Sequence, residues 1–380
     1  MFDSAASTLR PAAVPFALPE PSTGAAMRRI DLVIAGARGQ VGTSLRRQLG
    51  RRQEWLRRHE GIDLRLLVAF DRRALAFDLG GLRADALDAD LQPRTDGDGD
   101  ALLEALCRRG RQATVLVDCT ASDAIADWYP RLLGAGVGVV VANKRANARS
   151  HAHFLQLQQL ARLGGAPYRY ETTVGAAIPL LGPIRDLRLR GERIESLQGV
   201  LSGSLSHVLH RVHEGVAFSA AVKEARQLGL TEPDPFEDLA ARDLARKLLV
   251  LGREAGFTLE ATDLHVEPLC DPPRPGEDAS DALHAADAGW RTRVADAQAR
   301  GERLVMVAEA DALGARIGVR ALPAGSALAR LAPGENLVLV RSEWHSRSPL
   351  ALGGPGAGAD VTAAGLLSDI LLAARELARR

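Results

Sequence analysis

Short apolar runs alternate with amphipathic stretches in the first part of the chain. The runs are rich in β-branched and aliphatic side chains and occupy residues 29–36, 64–70, 114–118 and 136–142. Runs of this length and composition predict buried strands, and the stretch at residues 43–58 has the spacing of a helix. Alternation of strand and helix predicts a parallel sheet with helices on both faces, a doubly wound α/β fold of the Rossmann type.

The pattern changes after about residue 150. Strand-like runs occupy residues 168–174, 194–201, 303–310, 314–322 and 336–342. A helix is expected at residues 217–228, a loop at residues 202–204, and a loop of small residues at 353–358 before a last helix at 360–378. Strands that cluster without regular helical crossovers are typical of an α+β arrangement. We therefore expect a second, mixed α+β domain that binds substrate and forms a dimer.

These patterns divide the chain into three parts. We expect a disordered tail at residues 1–28, a dinucleotide-binding domain at 29–149 to which residues 353–380 return, and a catalytic and dimerisation domain at 150–352. The opening 26 residues lack the basic and apolar segments of a signal peptide, and Met27 is an alternative start. No apolar run approaches the roughly 18–20 residues of a membrane helix, so we expect a cytoplasmic protein.

Composition excludes several classes of function. The formal net charge is +1, which argues against an electrostatic nucleic-acid binder. Aromatic residues make up 4% of the chain, too few for a stacking platform for single strands. The three cysteines show no CxxC spacing, which argues against a disulfide scaffold or a zinc site. We therefore expect a small-molecule partner and neither nucleic acid nor membrane.

A glycine-rich turn at residues 36–42, Gly-Ala-Arg-Gly-Gln-Val-Gly, joins the first strand to the first helix. Glycines permit positive φ, and a helix N-terminus presents free N–H groups to phosphates. Cofactor contacts are therefore expected at Gly39, Gln40, Val41 and Gly42. The spacing departs from the usual G-x-G-x-x-G, and the alternative is a tight turn that binds no ligand.

The end of the second strand bears on the choice of cofactor. Asp71 could accept a hydrogen bond from the ribose 2′-hydroxyl of NAD, whereas Arg72 and Arg73 could hold the 2′-phosphate of NADP. A charged surface turn would have the same sequence. These residues leave NAD and NADP both open.

The next two strands end in residues that suit a ligand. In an open parallel sheet, ligands bind outside the carboxyl ends of the strands. Thr120 follows the third strand and could contact the nicotinamide ribose. Lys144 follows the fourth, where an ammonium group would lie near the reactive ring. For Lys144 alone, a solvated side chain in a loop is the simpler interpretation. A second lysine further along the chain favours a functional role for Lys144.

That second lysine, Lys247, lies in a predicted helix at residues 234–256. Asp234 is a suitable N-cap, Pro235 suits the first helical position, and Glu237 would complete a capping box. Leucines at near-helical spacing form its buried face.

Carboxylates surround Lys247 in the sequence. Asp243 lies four residues earlier and can pair with it, and Glu232 and Asp238 add two more negative charges nearby. Burial would lower the pKa of Lys247 toward neutrality, and Asp243 would oppose this shift. The alternative is an ordinary surface ion pair. A small substrate with an amine and a carbonyl that needs a proton would suit such a site.

Several separated blocks together resemble the homoserine dehydrogenases. They lie at residues 142–144, 171–179, 201–206, 229–235, 243–247 and 354–358. The similarity is greatest to the dehydrogenase half of the bifunctional aspartokinase–homoserine dehydrogenases, without the kinase domain. The resemblance implies an NAD(P)-dependent oxidoreductase that interconverts L-aspartate 4-semialdehyde and L-homoserine in threonine and methionine biosynthesis. Because no regulatory domain follows, we do not expect feedback inhibition by threonine through one.

The resemblance also implies roles for individual residues. Lys247 corresponds to the proton donor, and Lys144 to a second lysine near substrate and nicotinamide. The implied substrate-binding residues are Glu232, Asp238, Asp243 and Ser204. Thr120 and Gly358 correspond to cofactor contacts. A monovalent cation, Na⁺ or K⁺, is implied at Glu171, Val174, Ala176 and Ile178, largely through backbone carbonyl oxygens, which hard cations prefer.

Two other interpretations remain open from the sequence. The chain could be another NAD(P)-dependent dehydrogenase of an amino-acid pathway, with the same nucleotide-binding half and another substrate. It could also be a dinucleotide-binding regulator without catalysis, although the presence of both Lys144 and Lys247 argues against this. We expect a homodimer.

Overall fold

The computed structural model describes residues 27–85, 87, 90–95, 97–231, 234–274, 276 and 278–379. The expected tail therefore lies outside the described residues as far as residue 26. Arg28, which the prediction placed in the tail, already begins the first strand.

The first sheet has a parallel core of five strands. The strands are β1 (Arg28–Ala35), β2 (Ile62–Phe70), β3 (Ala74–Phe77), β4 (Gln92–Pro93), β5 (Thr114–Asp118), β6 (Gly138–Val141) and β7 (Tyr168–Arg169). They lie in the order β4-β3-β2-β1-β5-β6-β7, and only β3 and β4 run antiparallel to their neighbours. The predicted parallel sheet is confirmed, with an antiparallel extension that the sequence analysis did not identify.

Helices cover both faces of this sheet. They are α1 (Gln40–Glu60), α2 (Asp98–Arg109), α3 (Asp123–Ala126), α4 (Tyr129–Ala135) and α5 (His151–Gly164). Alternate side chains of β1 point to opposite faces: Ile30 and Ile34 pack with α1, and Val33 packs with α2, α4 and α5. A strand buried on both faces explains the continuous apolar run in the sequence.

The second sheet is mostly antiparallel. Its strands are β8 (Ile194–Val200), β9 (Leu264–Val266), β10 (Glu302–Asp311), β11 (Gly314–Pro323), β12 (Glu335–Ser342) and β13 (Leu350–Pro355), in the order β13-β12-β8-β10-β11-β9. Only β9 pairs in parallel, with β11. The accompanying helices are α6 (Leu181–Leu189), α7 (Gly203–His213), α8 (Phe218–Gln227), α9 (Pro235–Leu239), α10 (Arg242–Glu254) and α11 (Ala279–Ala299). The predicted mixed α+β part is confirmed.

The last helix, α12 (Ala359–Leu377), packs beside α1 against the first sheet, where Leu366 and Ile370 join the core of Ile30 and Ile34. The domain boundaries stay a prediction, and two elements cross them. The first sheet takes its last strand, β7, from beyond residue 150, and β13 includes residues 353–355 in the second sheet.

Three local predictions were wrong. The strand expected at 168–174 ends at Arg169, and residues Glu171–Thr173 form a 3₁₀ turn. The loop expected at 202–204 is the start of α7, where the Ser202 side chain accepts a hydrogen bond from Leu205 N. The loop expected at 353–358 is partly strand β13, because pairing with β12 orders its backbone.

Helix α11 was missed altogether. Its inward positions, Leu283, Ala286, Trp290, Val294 and Ala297, have helical spacing. Alanines also occupy its exposed face, so the contrast between the two faces is weak. Periodicity is a weak guide to such an alanine-rich helix.

Candidate active site

The glycine turn packs tightly against the loop after β5. Gly36 has φ 76°, and a Cβ atom there would lie 2.9 Å from Thr120 Cγ2. A Cβ atom at Gly42 would lie 2.2 Å from the Gly36 carbonyl oxygen. Only glycine fits at these two places, so helix α1 approaches the strand closely and directs its first N–H groups toward the carboxyl edge of the sheet.

A cavity of about 1260 Å³ opens beside this turn at the carboxyl ends of β2 and β5. Four of the predicted cofactor residues line it: Gly39, Asp71, Arg72 and Thr120. Clefts at this edge of a doubly wound sheet are where dinucleotides bind. The structure thus brings together residues that lie up to 81 positions apart in the chain.

Four more of the predicted cofactor residues lie around the start of α1, and the last, Lys144, follows β6. Gln40 and Gly358 line a neighbouring cavity between the N-termini of α1 and α12. Val41 and Gly42 line neither cavity: Val41 packs on the core of the first domain, and Gly42 packs on Gly36. Any contact from these two residues would come from their backbone N–H groups.

Asp71 is already engaged. Its Oδ2 accepts a hydrogen bond from Arg38 Nε at 2.5 Å, and its Oδ1 accepts from the backbone N–H groups of Arg73 and Ala74 at 2.7 and 3.0 Å. The hydrogen bond from Arg38 lowers the pKa of Asp71 to about 2. Both carboxylate oxygens therefore already accept hydrogen bonds within the protein, which leaves Asp71 poorly placed to accept one from a ribose hydroxyl.

Arg94 is a residue of this cavity that the sequence analysis missed. It follows β4, its Nη1 donates to the Asp71 carbonyl oxygen at 2.8 Å, and its guanidinium lies 5.3 Å from the centre of the Phe70 ring. Its backbone N–H bonds to Arg73 O at 2.8 Å. The antiparallel pairing of β3 with β4 brings Arg94 beside Asp71. No local pattern in the sequence predicts this contact.

The loops after β5 and β6 are held together by a buried carboxylate, Asp118. It accepts hydrogen bonds from the Tyr129 hydroxyl, from Asn143 Nδ2 at 2.9 Å and from Thr120 N at 2.7 Å. Burial raises the pKa of Asp118. Asn143 also donates to Ser122 O at 2.9 Å, so Lys144, the next residue, is fixed relative to the cofactor cavity.

Lys144 and Lys247 meet at one carboxylate. Asp243 lies 3.2 Å from Lys144 Nζ through Oδ1 and 3.1 Å from Lys247 Nζ through Oδ2. Lys247 also donates to the Leu201 carbonyl oxygen at 2.8 Å, and its side chain is 14% exposed. The sequence predicted the Asp243–Lys247 pair but not its link to Lys144, which lies in the loop after β6 of the first sheet.

The charges of these three groups act on one another. Burial lowers the pKa of Lys247, and the negative charge of Asp243 opposes the shift. Burial would raise the pKa of Asp243, but the two ammonium groups outweigh it and hold that pKa well below its usual value. The net result is an ionised carboxylate between two lysines, one of which gives up its proton more readily than a free lysine.

The helix that carries Asp243 and Lys247 is interrupted, contrary to the prediction of one helix over residues 234–256. Ala241, with φ 54°, separates α9 from α10. Asp234 caps α9 by accepting from Phe236 N at 3.0 Å, as predicted. Glu237 forms no capping box and pairs with Arg242 at 2.6 Å.

The interruption separates Asp238 from the helix of Asp243. Asp238 Oδ1 accepts a hydrogen bond from Ser204 Oγ at 3.0 Å, so these two predicted substrate residues lie together at the start of α7. The charge of Asp238 also acts on Lys247, after the larger effects of burial and Asp243. Glu232, the remaining predicted substrate residue, lies outside the described residues.

The predicted cation segment forms a tight loop. Gly175 and Ala176 have φ values of 76° and 56°, and Ile178 N bonds to Gly175 O. The Glu171 carboxylate accepts three backbone hydrogen bonds, from Leu180, Leu181 and Gly182, at 2.6–2.7 Å. The carboxylate oxygens are thus committed to the start of α6. Carbonyl oxygens of Glu171, Val174, Ala176 and Ile178 are the groups that would hold an ion, and this stays a prediction.

Comparison with known proteins gives the family. A family model described as "Homoserine dehydrogenase" matches residues 179–371, which is half of the chain, and a model described as "Homoserine dehydrogenase, NAD binding domain" matches residues 38–171. The chain belongs to the homoserine dehydrogenase family. This is a family of NAD(P)-dependent oxidoreductases, and its nucleotide-binding match covers the glycine turn from Arg38 onward and the loops after β2, β5 and β6.

Curated relatives of homoserine dehydrogenase type are longer than this chain. The bifunctional aspartokinase/homoserine dehydrogenase of Haemophilus influenzae is 35% identical over 90% of this chain and 42% of its own length. An Escherichia coli protein described as bifunctional aspartokinase/homoserine dehydrogenase 2 is 34% identical over 91% of this chain and 43% of its own. The chain therefore spans less than half the length of these relatives.

Solved structures share the fold. A Candida auris protein of unknown function has 29% identity and a TM-score of 0.82, covering 92% of this chain and 99% of its own. A hyperthermophilic archaeal homoserine dehydrogenase in complex with NADPH has 23% identity and a TM-score of 0.70, covering 91% and 97%. Within the described residues, no helix combines the length and apolar character needed to cross a membrane.

Proposed function

We propose that this chain catalyses the reversible reduction of L-aspartate 4-semialdehyde to L-homoserine with NAD(P)H. The observation that carries the proposal is the Lys144–Asp243–Lys247 cluster, which links the loop after β6, at the carboxyl edge of the first sheet, to helix α10. This chemistry needs a cation and a transferable proton next to a nicotinamide ring, and the cluster supplies both.

The proposed mechanism assigns the proton to Lys247. When bound, NAD(P)H supplies the hydride. Negative charge then develops on the aldehyde oxygen, which the Lys247 ammonium group stabilises and protonates. Asp243 holds Lys247 in place, and the hydrogen bond to Leu201 O fixes the same amine from a second side. Lys144 completes the positive surroundings of the oxygen. In the direction of homoserine oxidation, neutral Lys247 accepts the proton.

Substrate recognition follows from the remaining carboxylates. The substrate is an amino acid, so its ammonium group needs negative partners near the reacting carbonyl. Asp238 and Ser204 lie together close to Lys247, and we assign the ammonium group to Asp238 and Glu232. Ser204 orients Asp238 through the hydrogen bond between them.

We infer a preference for NADPH over NADH. The Asp71 carboxylate is bound to Arg38 and to its own turn, so it is not free for a ribose 2′-hydroxyl. Arg72, Arg73 and Arg94 line the same cavity, and guanidinium groups bind a phosphate in pairs of charge-assisted hydrogen bonds. A 2′-phosphate therefore matches this edge better than a hydroxyl.

We also propose a monovalent cation and a homodimer. The cation would bind the carbonyl oxygens of the loop that follows Glu171. The dimer would form on the face of the second sheet that carries Val305, Leu337 and Leu339 as partly buried apolar side chains, beside the part of this face that Leu328 and Leu331 cover. Such an apolar face is typical of a contact between subunits. We expect the enzyme in the cytoplasm, with its diffusible substrate and cofactor.

The direct test is an assay of the purified chain. Homoserine is supplied with NAD or NADP, with and without K⁺ or Na⁺, and formation of NADH or NADPH is followed by absorbance. We expect turnover with homoserine, faster with NADP and dependent on a cation. Binding of NADPH without turnover of homoserine would contradict the proposed reaction and favour a dinucleotide-binding regulator.

A further inference from the structure

A second large cavity lies along the flank of α1 and is distinct from the cavity at the glycine turn. It has a volume of about 980 Å³ and is bounded by α1, the beginnings of β1 and β2, and the segment at residues 80–85. Among the described residues, seven arginines and two aspartates line it. Asp31 and Asp360, just outside the lining, pair with Arg65 and Arg47, and the arginines still outnumber all four carboxylates. We call it the arginine cavity.

This concentration of charge is local. The whole chain has 48 basic residues (Lys and Arg) and 47 acidic ones, so an average surface would be close to neutral. The arginine cavity therefore focuses positive potential in a concave place, where low-dielectric walls strengthen its effect on an anion.

Several of its guanidinium groups are held in place. Arg65 donates to Asp31 at 2.8 Å and to the Leu79 carbonyl oxygen at 2.7 Å. Arg57 donates to Asp63 at 2.7 Å. Because these side chains are ordered before any ligand arrives, less conformational entropy is lost on binding.

Buried Arg46 fixes the deepest part of the wall. Its Nε donates to the Ala37 carbonyl oxygen at 2.9 Å and its Nη1 to the Ala84 carbonyl oxygen at 3.0 Å. It thus connects the glycine turn with the segment on the far side of the arginine cavity. Gly81, with φ 105°, leaves room for the stem of Arg65, since a Cβ atom there would lie 2.7 Å from Arg65 Cγ.

Two further arginines are available to a ligand. Arg51 is exposed, and no partner for it is found in the described part of the chain. In the part of the chain that the structure describes, Arg83 forms one ion pair, with Asp85 at 3.1 Å, and the charge of Asp90 also acts on it; its side chain is 76% exposed. Neither side chain holds the fold together, so both can turn toward an anion.

We propose that the arginine cavity binds a small anion that carries two or more phosphate groups. Planar guanidinium groups bind phosphate oxygens through paired hydrogen bonds, and several of them around one space suit more than one phosphate. The volume is that of a small-molecule site. Arginines of α1 face Arg29, Arg65 and Arg83 across a concavity, and the chain is nearly neutral overall, so a small anion fits better than nucleic acid.

The test is calorimetric titration of the chain with inorganic triphosphate at low ionic strength, in saturating NADPH so that the cofactor site is filled. We expect about one triphosphate bound per chain. The double variant Arg51→Gln/Arg83→Gln should weaken this binding about tenfold or more, because charge-assisted hydrogen bonds are lost. Its matched control is Arg226→Gln/Arg291→Gln, two exposed arginines on α8 and α11, which should bind like wild type.

Three results would overturn the proposal. They are absence of binding, binding that NADPH abolishes, and equal weakening in both double variants, which would indicate diffuse attraction to a basic surface. If NADPH itself did not bind, the proposed function would be wrong. Titration of the two double variants with triphosphate in the absence of NADPH would then still test the arginine cavity.

Discussion

The cofactor cavity and the lysine cluster are built by different means. The cavity depends on backbone: glycines at 36 and 42 bring a helix against a strand, and N–H groups face the ligand. The cluster depends on side-chain charge, with one carboxylate between two ammonium groups. Damage to the first should therefore appear in cofactor affinity, and damage to the second in the rate of the chemical step and its pH dependence.

The largest expected effect is on the lysine cluster. Lys247→Ala removes the proposed proton donor, and kcat should fall about 10²-fold or more, as is usual for a general acid. The KM for cofactor should change little. The matched control is Lys223→Ala, since Lys223 is the one lysine of the chain besides Lys144 and Lys247, and it is exposed on α8. Near-normal turnover of the purified Lys247 variant would exclude it as the donor.

Removal of the carboxylate between the lysines tests the same cluster more finely. In Asp243→Asn, Lys247 loses the negative charge that opposes the lowering of its pKa, so that pKa should fall further. Semialdehyde reduction needs the ammonium form and is lost as pH rises through the pKa. Homoserine oxidation needs the amine and is gained there. The fall in the rate of reduction and the rise in the rate of oxidation should therefore both occur at lower pH in the variant. Unchanged pH–rate profiles would contradict the assignment of Lys247 as the group that transfers the proton.

The cofactor cavity can be disturbed without touching a charge. Gly42→Ala places a Cβ atom 2.2 Å from the Gly36 carbonyl oxygen, which must move the turn. The KM for cofactor should rise about tenfold, since the phosphate-facing N–H groups are displaced. Gly50→Ala in the same helix is the control, because nothing lies within 4 Å and alanine favours the helix by roughly 0.5–1 kcal/mol. Similar behaviour of the two variants would mean that the turn holds no dinucleotide.

The basic edge of the cavity decides between cofactors. Arg94→Gln keeps a polar side chain but removes the positive charge, and we expect kcat/KM with NADPH to fall about tenfold while that with NADH changes little. Arg108→Gln, an exposed arginine on α2, serves as the control. An equal decrease in kcat/KM with both cofactors would show that Arg94 supports the cavity wall and does not bind the 2′-phosphate.

The smallest expected effect lies in α12, which packs beside α1 against the first sheet. Burial raises the pKa of Asp369 to about 7, helped by the neighbouring charge of Glu171. Because the folded-state pKa lies above the unfolded value, the fold favours the protonated form, and stability falls as pH rises from about 4 to 7. Asp369→Asn should remove this dependence and raise the stability at pH 8 by about 1 kcal/mol or more.

Thermal unfolding at pH 5 and pH 8 measures this difference. The variant keeps an acceptor for the Glu171 N–H group that Asp369 now binds at 3.1 Å. Equal loss of stability at both pH values would show that the hydrogen bond matters more than the protonation of Asp369.

Sequence by itself determined the local features of this protein. The strands β1, β2, β5 and β6 are short apolar runs buried on both faces, so their hydrophobic pattern alone marks them. The glycine turn and the Asp243–Lys247 pair are each local in sequence. The end of a strand determines where the turn lies, and helical spacing determines that residues 243 and 247 meet. Even the expected N-cap at Asp234 was confirmed, because capping is a local hydrogen bond.

Only the tertiary structure decided which distant groups meet. Lys144 reaches Asp243 across 99 residues, Arg94 reaches Asp71 through a pairing of short strands, and Asp118 holds Asn143 from a neighbouring strand. The helix break at Ala241 also escaped prediction, since a left-handed alanine is strained and persists only where packing enforces it. Such contacts depend on how sheets and helices stack, and no local pattern of apolar and polar residues encodes that.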